Sequence, residues 1–154
     1  MTFILIEGTL TTESITDHPG LAMLEINKPD VLAEVTAAFE RYENALVTND
    51  LAVLDELFWD SEHTLRYGIA ENLYSFNEIS AYRSERPPVP LTRDLVRTRI
   101  TTYGDSMATA NTMFKREINP DKLGRQSQTW MKTEAGWRVV SAHVSLIDYP
   151  DTAP

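Results

Sequence analysis

The sequence contains no cysteine among its 154 residues, and this absence removes several kinds of chemistry. Disulfide bonds, thiol nucleophiles and thiolate metal sites are all excluded. A chain without cysteine is typical of a reducing cytoplasm, where we expect this protein to act. The three histidines, His18, His63 and His143, show no ligand spacing, and no serine-nucleophile motif is present. We therefore expect neither a metal site nor a cofactor.

Basic residues are also scarce: 14 lysines and arginines stand against 23 acidic residues, for a formal net charge of −9. This balance argues against nucleic acid and against an anionic membrane surface as partners. It does not argue against a small anion, because one buried arginine can dominate the local field. No apolar run is long enough to span a bilayer. The start of the chain lacks a basic region and soon reaches Glu7, so we expect no secretory signal.

The chain divides into three parts. Residues 1–26 show no clear period and are interpreted as a flexible N-terminal arm or extension, with a short strand at 3–6. Residues 27–147 form a single domain, and residues 148–154 form a short C-terminal tail.

Three helices are predicted in the first half of the domain. Pro29 and Asp30 are start signals for a long helix, and Asp50 can cap a second, shorter one. Ser75 and Glu78 make a capping-box pattern that opens the third. The apolar stripe of the first helix falls at helical spacing on Val31, Val35, Ala38, Phe39, Tyr42 and Leu46.

Strands are predicted at 63–67 and, after the helices, at 91–103, 107–117, 124–132 and 137–146. Helices first and a long sheet afterwards is an α+β pattern. We expect a cone-shaped, strongly bent antiparallel sheet packed against three N-terminal helices. A pocket should then lie between the first helix and the concave face.

Arg66 and Tyr42 are the leading candidates for chemistry, because the usual catalysts are missing. A guanidinium binds a carboxylate in bidentate fashion and keeps its charge at working pH. The purely structural alternative is that Arg66 is an exposed strand arginine, or one paired with an acid such as Glu43. For Tyr42 it is a core aromatic residue whose hydroxyl finds a backbone partner.

Several segments together resemble a small bacterial family of cyanuric acid and oxalurate catabolism, the AtzH- and HpxZ-type proteins. The order of elements and the last hairpin resemble the nuclear transport factor 2-like (SnoaL-like, cystatin-like) superfamily, to which that family belongs. The resemblance covers roughly residues 26 to 146. The matching segments are 33–39, 41–43, 45–47, 49–50, 54–59, 65–68 and 71–74, with 124–130 and 136–145 in the hairpin.

The resemblance implies an amidohydrolase that converts 1,3-dicarboxyurea to allophanate and releases carbon dioxide. The catalytic tyrosine and arginine of the family fall on Tyr42 and Arg66. It also implies a small anionic ureido substrate, a functional link to an amidase of the same pathway, and a homodimer or larger oligomer that covers the open sheet face.

Four further residues are candidates for substrate binding: Tyr67, Asn72, Gln128 and His143. Gln128 matches a pocket-facing position of the fold, where its amide would bind ureido groups. Asn72 is as well suited to a turn, and His143 is more commonly a satisfied sheet histidine than a base. A separate group, Arg93, Arg97 and Arg99, is interpreted as a solvated sheet face.

Three functions compete. The first is the cofactor-free hydrolase of a carboxylated urea. The second is a non-catalytic module that binds small carboxylates or assembles with an amidase. The third is another pocket enzyme, an isomerase or dehydratase, which needs an aspartate or histidine base deep in the cone; mid-strand acids are too few to favour it.

Overall fold

The computed structural model describes residues 24–88 and 91–149, and these form three helices and a sheet, as predicted. Within these ranges the elements follow in the order α1 (Pro29–Thr48), α2 (Leu51–Glu56), β1 (Leu65–Tyr67), β2 (Asn72–Tyr74), α3 (Phe76–Glu85), β3 (Asp94–Tyr103), β4 (Met107–Lys115), β5 (Lys122–Thr133) and β6 (Gly136–Asp148). The predicted α+β class is confirmed. Among the described residues, no helix is long and apolar enough to cross a membrane.

Local signals explain the helix ends. Pro29 occupies the first position of α1, where its missing N–H costs nothing. Asn49 ends α1 in the left-handed conformation, with φ of 55°. The Asp50 side chain then accepts a hydrogen bond from the Val53 N–H at 3.1 Å and caps α2. Ser75 caps α3 in the same way, accepting from the Glu78 N–H at 3.2 Å.

The sheet has the strand order β2-β1-β6-β5-β4-β3. Strands β3 to β6 form the predicted antiparallel meander, but β1 pairs with β6 in parallel. The sheet is therefore mixed: its strand pairs are antiparallel, as expected, except for that of β1 with β6. The physical reason is connectivity. After α3 the chain crosses to the far edge and returns through three hairpins, so β6 meets β1 in the same direction. Strand β2, which was not predicted, pairs with β1 as a short hairpin.

The core lies between α1 and one face of the sheet, which we call the inner face. The buried stripe of α1 includes Phe39 and Tyr42, as its spacing predicts. Small residues of β4, Ala108 and Ala110, and the large Trp130 of β5 meet it. Register shifts occur between Leu95 and Arg97 and between Thr129 and Trp130. Such bulges increase twist and bend the strands.

Two predicted boundaries fall at the ends of the described residues. Residues 1–23 and 150–154, with the strand predicted at 3–6, lie outside them. Ile26, which the sequence places in the arm, forms a β-bridge with Tyr103. At the other end β6 runs through Asp148, where the predicted tail begins, and the Asp148 carboxylate accepts a 2.5 Å hydrogen bond from Lys122 Nζ.

Candidate functional site

A cavity of about 250 Å³ opens between α1, α3 and the inner face of the sheet. It occupies the position that the sequence predicts for a pocket. Segments that are far apart in the sequence meet here, from α1 to β6. Its lining consists of Tyr42, Leu46, Arg66, Ile69, Ala70, Glu71, Tyr82, Arg86, Leu91, Arg93, Arg116, Gln126 and Val144.

Tyr42 reaches the cavity from the buried stripe of α1. The residue is only 5% exposed, and its ring packs against Phe58 and, edge-on, against Trp130, with centroids 6.3 and 6.4 Å away. The hydroxyl has no hydrogen-bond partner among the described residues, and it is not fully buried. The ring is therefore held by packing while the hydroxyl is free to meet a ligand in the cavity.

Arg66 lines the same cavity and forms an ion pair with Glu71 through Nη1. Its guanidinium also lies 5.8 Å from the centre of the Tyr82 ring. Among the described residues, the Arg66 guanidinium has one hydrogen-bond partner, Glu71, which binds Nη1. The N–H groups of Nε and Nη2 therefore remain available to a ligand. The predicted alternative partner, Glu43, binds a different arginine. Arg66 is thus oriented by Glu71 but not saturated by it.

Glu71 keeps its negative charge in this setting. Burial alone would raise the pKa of its carboxyl group, but the hydrogen bond and charge of Arg66 outweigh burial. The Ala70 N–H and Tyr82 add to this, and the net pKa is lowered. Gly68 makes the arrangement possible, because a Cβ at that position would lie 1.8 Å from Glu71 Oε1.

Arg93 is a buried part of the site, so its interpretation as part of a solvated face was wrong. Its side chain is 1% exposed. Nε and Nη2 donate to the Glu43 carboxylate at 3.0 and 2.5 Å, and Nη2 also donates to Gln126 Oε1 at 3.1 Å. Residue 93 lies before β3 begins, and the bulge after Leu95 breaks the alternation that relates it to Arg97. Alternation alone could not have found it.

Arg116 follows β4 and is a second arginine that the sequence does not single out. The centre of the Phe114 ring lies near two guanidinium groups, 4.4 Å from that of Arg93 and 5.1 Å from that of Arg116. Gly124 on the neighbouring strand leaves room for this ring, since a Cβ there would lie 2.2 Å from it. Alternation along the predicted strand 107–117 places Phe114 and Arg116 on one face, and this is the signal that could have indicated part of the cluster.

The arginines of this region lower one another's pKa. Burial lowers the pKa of both Arg83 and Arg116. The neighbouring cation that lowers the pKa of Arg83 is Arg66, while for Arg116 the neighbours are Arg93 and Arg86.

Guanidinium groups outnumber carboxylates around the cavity. The four lining arginines are Arg66, Arg86, Arg93 and Arg116. Within residues 24–88 and 91–149, Glu71 and Glu43 pair with two of them, and no carboxylate lies within ion-pair distance of the other two. The cavity thus carries two unmatched positive charges in a chain whose net charge is −9. Local charge of this kind attracts a small dianion.

The four residues predicted to bind substrate do not line the cavity. Tyr67, Asn72 and His143 lie on the opposite, outer face of the sheet, where Tyr67 packs edge-on against His143 at 5.9 Å and pairs in register with Asn72. Because side chains alternate between the two faces of a strand, Tyr67 and Arg66 lie on different faces of the sheet. The sequence alone therefore predicts that Tyr67 faces away from the cavity that Arg66 lines.

Gln128 does face inward, but it is buried among core side chains. Its Oε1 accepts a hydrogen bond from Trp130 Nε1 at 3.2 Å, and its Nε2 has no partner among the described residues. Gln126, on the same face of β5, is the amide that lines the cavity. No group of three or more His, Cys, Asp or Glu residues suited to a metal ion occurs in the part of the chain that the structure describes.

Comparison with known proteins confirms the fold and the family suggested by the sequence. The sequence model of the family described as AtzH-like matches residues 24–150. A protein of unknown function from Pectobacterium atrosepticum is 58% identical, with 80% of this chain and 95% of that chain covered and a TM-score of 0.77. A cystatin-like fold protein from Burkholderia xenovorans is 46% identical, with 82% and 99% covered and a TM-score of 0.79.

A more distant structure shows the fold alone. A nuclear transport factor 2-like protein of unknown function from Pseudomonas putida is 13% identical, with 81% of this chain and 97% of that chain covered and a TM-score of 0.67. No curated protein matches the chain.

Proposed function

Because the chain belongs to the AtzH-like family, whose model matches residues 24–150, we propose that it is a cofactor-free amidohydrolase of a small carboxylated urea. The reaction is the conversion of 1,3-dicarboxyurea to allophanate with release of carbon dioxide, in cyanuric acid or related ureido-compound catabolism. The observation that carries the proposal is a single cavity. Among the described residues, it holds a Tyr42 hydroxyl without a hydrogen-bond partner, an Arg66 guanidinium with free donors and an excess of positive charge.

The chemistry of an N-carboxylated urea suits these groups. Arg66 binds a substrate carboxylate through its free Nε and Nη2 donors and fixes the urea beside Tyr42. The Tyr42 hydroxyl donates a proton to the nitrogen that carries a carboxylate. The C–N bond then breaks, its electron pair stays on nitrogen, and the carboxylate leaves as carbon dioxide. The phenolate takes a proton from solvent, so one proton is consumed and no protein nucleophile is required.

Glu71 acts as a positioning residue in this scheme. Its ion pair with Nη1 holds the Arg66 guanidinium in one orientation, and its ionised state keeps Arg66 from turning away. A general-base role would require a free carboxylate, whereas Glu71 and Glu43 are each bound to an arginine. This pairing makes an isomerase or dehydratase a weaker explanation of the cavity than proton donation by Tyr42.

The test is the rate of carbon dioxide release from freshly generated 1,3-dicarboxyurea. Tyr42→Phe keeps the ring packing on Phe58 and Trp130 while removing the proton donor. We expect it to lower the rate roughly 10²- to 10⁴-fold. Arg66→Ala should lower the rate as well, with a higher KM. Matched controls are Tyr74→Phe and Arg99→Ala, which change exposed side chains outside the cavity and should leave the rate unchanged.

The second candidate is a non-catalytic module that binds a small dicarboxylate, in functional connection with an amidase. The excess positive charge of the cavity favours it, because that charge would bind an anion whether or not chemistry follows. Equal rates of carbon dioxide release in wild type, Tyr42→Phe and Arg66→Ala, with all three folded, would support this module and contradict the hydrolase.

A further inference from the structure

Arg86 and Arg116 form a part of the cavity that the proposed chemistry does not use. Arg86 stands at the end of α3, and Arg116 follows β4. Both line the cavity with Tyr42. Among residues 24–88 and 91–149, neither guanidinium has a carboxylate within ion-pair distance, in contrast to Arg66 and Arg93.

Arg116 is a cation without a partner of opposite charge among the described residues. Its Nε is buried and has no hydrogen-bond partner among the described residues. Its guanidinium rests on the Phe114 ring at 5.1 Å, and the repulsion of Arg86 and Arg93 acts on it. An arginine does not escape this environment by losing its proton, so its charge and its unused donors persist. The Nη groups of Arg116, which are not fully buried and have no hydrogen-bond partner among the described residues, are the donors that an anionic ligand in the cavity would reach.

The ligand that fits is an elongated dicarboxylate rather than a single compact anion. One carboxylate can occupy the free donors of Arg66, and the other can reach Arg116 and Arg86. The centre of the molecule would then lie in the same cavity as the Tyr42 hydroxyl. A cavity of about 250 Å³ has room for a small molecule of this kind. A tetrahedral phosphate, with both charges on one centre, would satisfy only one of the two groups.

We propose that Arg116, with Arg86 beside it, forms a second carboxylate subsite that makes the cavity select dicarboxylates over monocarboxylates. The inference rests on the proposed function in one respect, because it assigns the first carboxylate to Arg66. The second subsite also explains how the product is released. Loss of carbon dioxide removes one of the two charges, so the monoanionic product keeps contact with only one subsite.

Binding is tested at low temperature with two freshly prepared probes that differ in one carboxylate, because β-keto acids lose carbon dioxide on standing. Acetonedicarboxylate has the shape of dicarboxyurea with CH₂ in place of each NH, and acetoacetate is its monocarboxylate counterpart. By titration calorimetry at fixed ionic strength, we expect wild type to bind the dicarboxylate roughly 10- to 100-fold more tightly. Arg116→Gln should abolish most of that preference, and Arg116→Lys should restore part of it. Arg99→Gln, an exposed outer-face control, should leave it unchanged.

Each result decides one question. Unchanged preference in Arg116→Gln, or wild-type binding of orthophosphate as tight as that of acetonedicarboxylate, would overturn the second subsite. If Arg116→Gln proves unfolded by its thermal transition, Arg86→Gln takes its place, and a preference equal to that of wild type would again overturn the subsite. The hydrolase proposal fails separately: a protein that releases no carbon dioxide but keeps an Arg116-dependent preference retains the subsite.

Discussion

Arg93 and Arg99 lie close together in the sequence, yet the fold encloses one and exposes the other. Arg93 is buried beside the cavity with Glu43 and Gln126. Arg99 points to the outer face of β3, where it stands opposite Asn111 in the register and has no ion pair among the described residues. The difference teaches that position relative to the sheet, and not residue type, decides what an arginine does in this protein.

The energetic consequences of the two positions also differ. An exposed guanidinium is hydrated and contributes little, whereas a buried one must be paired because desolvation is costly. Around the cavity the protein meets this requirement for Arg93 and Arg66 with its own carboxylates. For Arg116 the described residues provide only an aromatic face, which is why we infer that a ligand completes it.

Removal of Arg93 should have the largest effect on stability. Arg93→Ala leaves the Glu43 carboxylate largely enclosed without its partner, and we expect a loss of about 3 to 5 kcal/mol in the free energy of unfolding. Arg99→Ala should stay within about 0.5 kcal/mol of wild type. Urea denaturation measures both. An equal effect of the two substitutions would remove the distinction between the faces.

The Phe114 ring offers a sharper test, because it supports two inner arginines at once. Gly124→Ala places a methyl group against the ring, and we expect a loss of about 1 to 3 kcal/mol from overpacking. Binding of acetonedicarboxylate should weaken too, as Arg93 and Arg116 shift with the ring. Ser127→Ala, on the outer face of the same strand, is the control. A variant as stable as wild type, with intact binding, would show that the ring does not position the arginines.

The Arg66–Glu71 pair should make stability depend on pH. Folding lowers the pKa of Glu71 below its ordinary value of 4.5. The pair therefore stabilises the protein above that value, and the contribution is lost as the pH falls through the lowered pKa. We expect Glu71→Gln to cost about 1 to 1.5 kcal/mol at neutral pH. The difference from wild type should shrink in acid, as followed by urea denaturation at several pH values. A difference that is constant with pH would contradict the ion pair.

The smallest effect is expected for an ion pair outside the cavity. Arg41 donates to Glu56 at 2.8 and 2.5 Å, with both side chains about half exposed. Arg41→Ala should change the free energy of unfolding by only about 0.2 to 1 kcal/mol, and added salt should reduce the difference further. A loss as large as that of Arg93→Ala would mean that enclosure is not what separates the two pairs. The homodimer expected from the resemblance stays a prediction, which sedimentation would test.

Much of the fold was predictable because its signals are local. Pro29, Asp50 and Ser75 mark helix starts, and the buried stripe of α1 follows from its period. The pairing of β1 with β6 was not predictable from alternation, which gives the faces of a strand but not its neighbours. Strand β2 was missed because three residues are too few to show a period.

The residues of the candidate site show the same division between local signals and tertiary structure. By itself the sequence, with its family resemblance, led to Tyr42 and Arg66 and excluded thiol chemistry. Only the tertiary structure decided that Arg93 and Arg116 join them, and that Tyr67, Asn72 and His143 face away. The physical reason is distance along the chain. Capping and periodicity depend on neighbouring residues, whereas the charge of a cavity is the sum of side chains from α1, β1, α3 and the ends of distant strands.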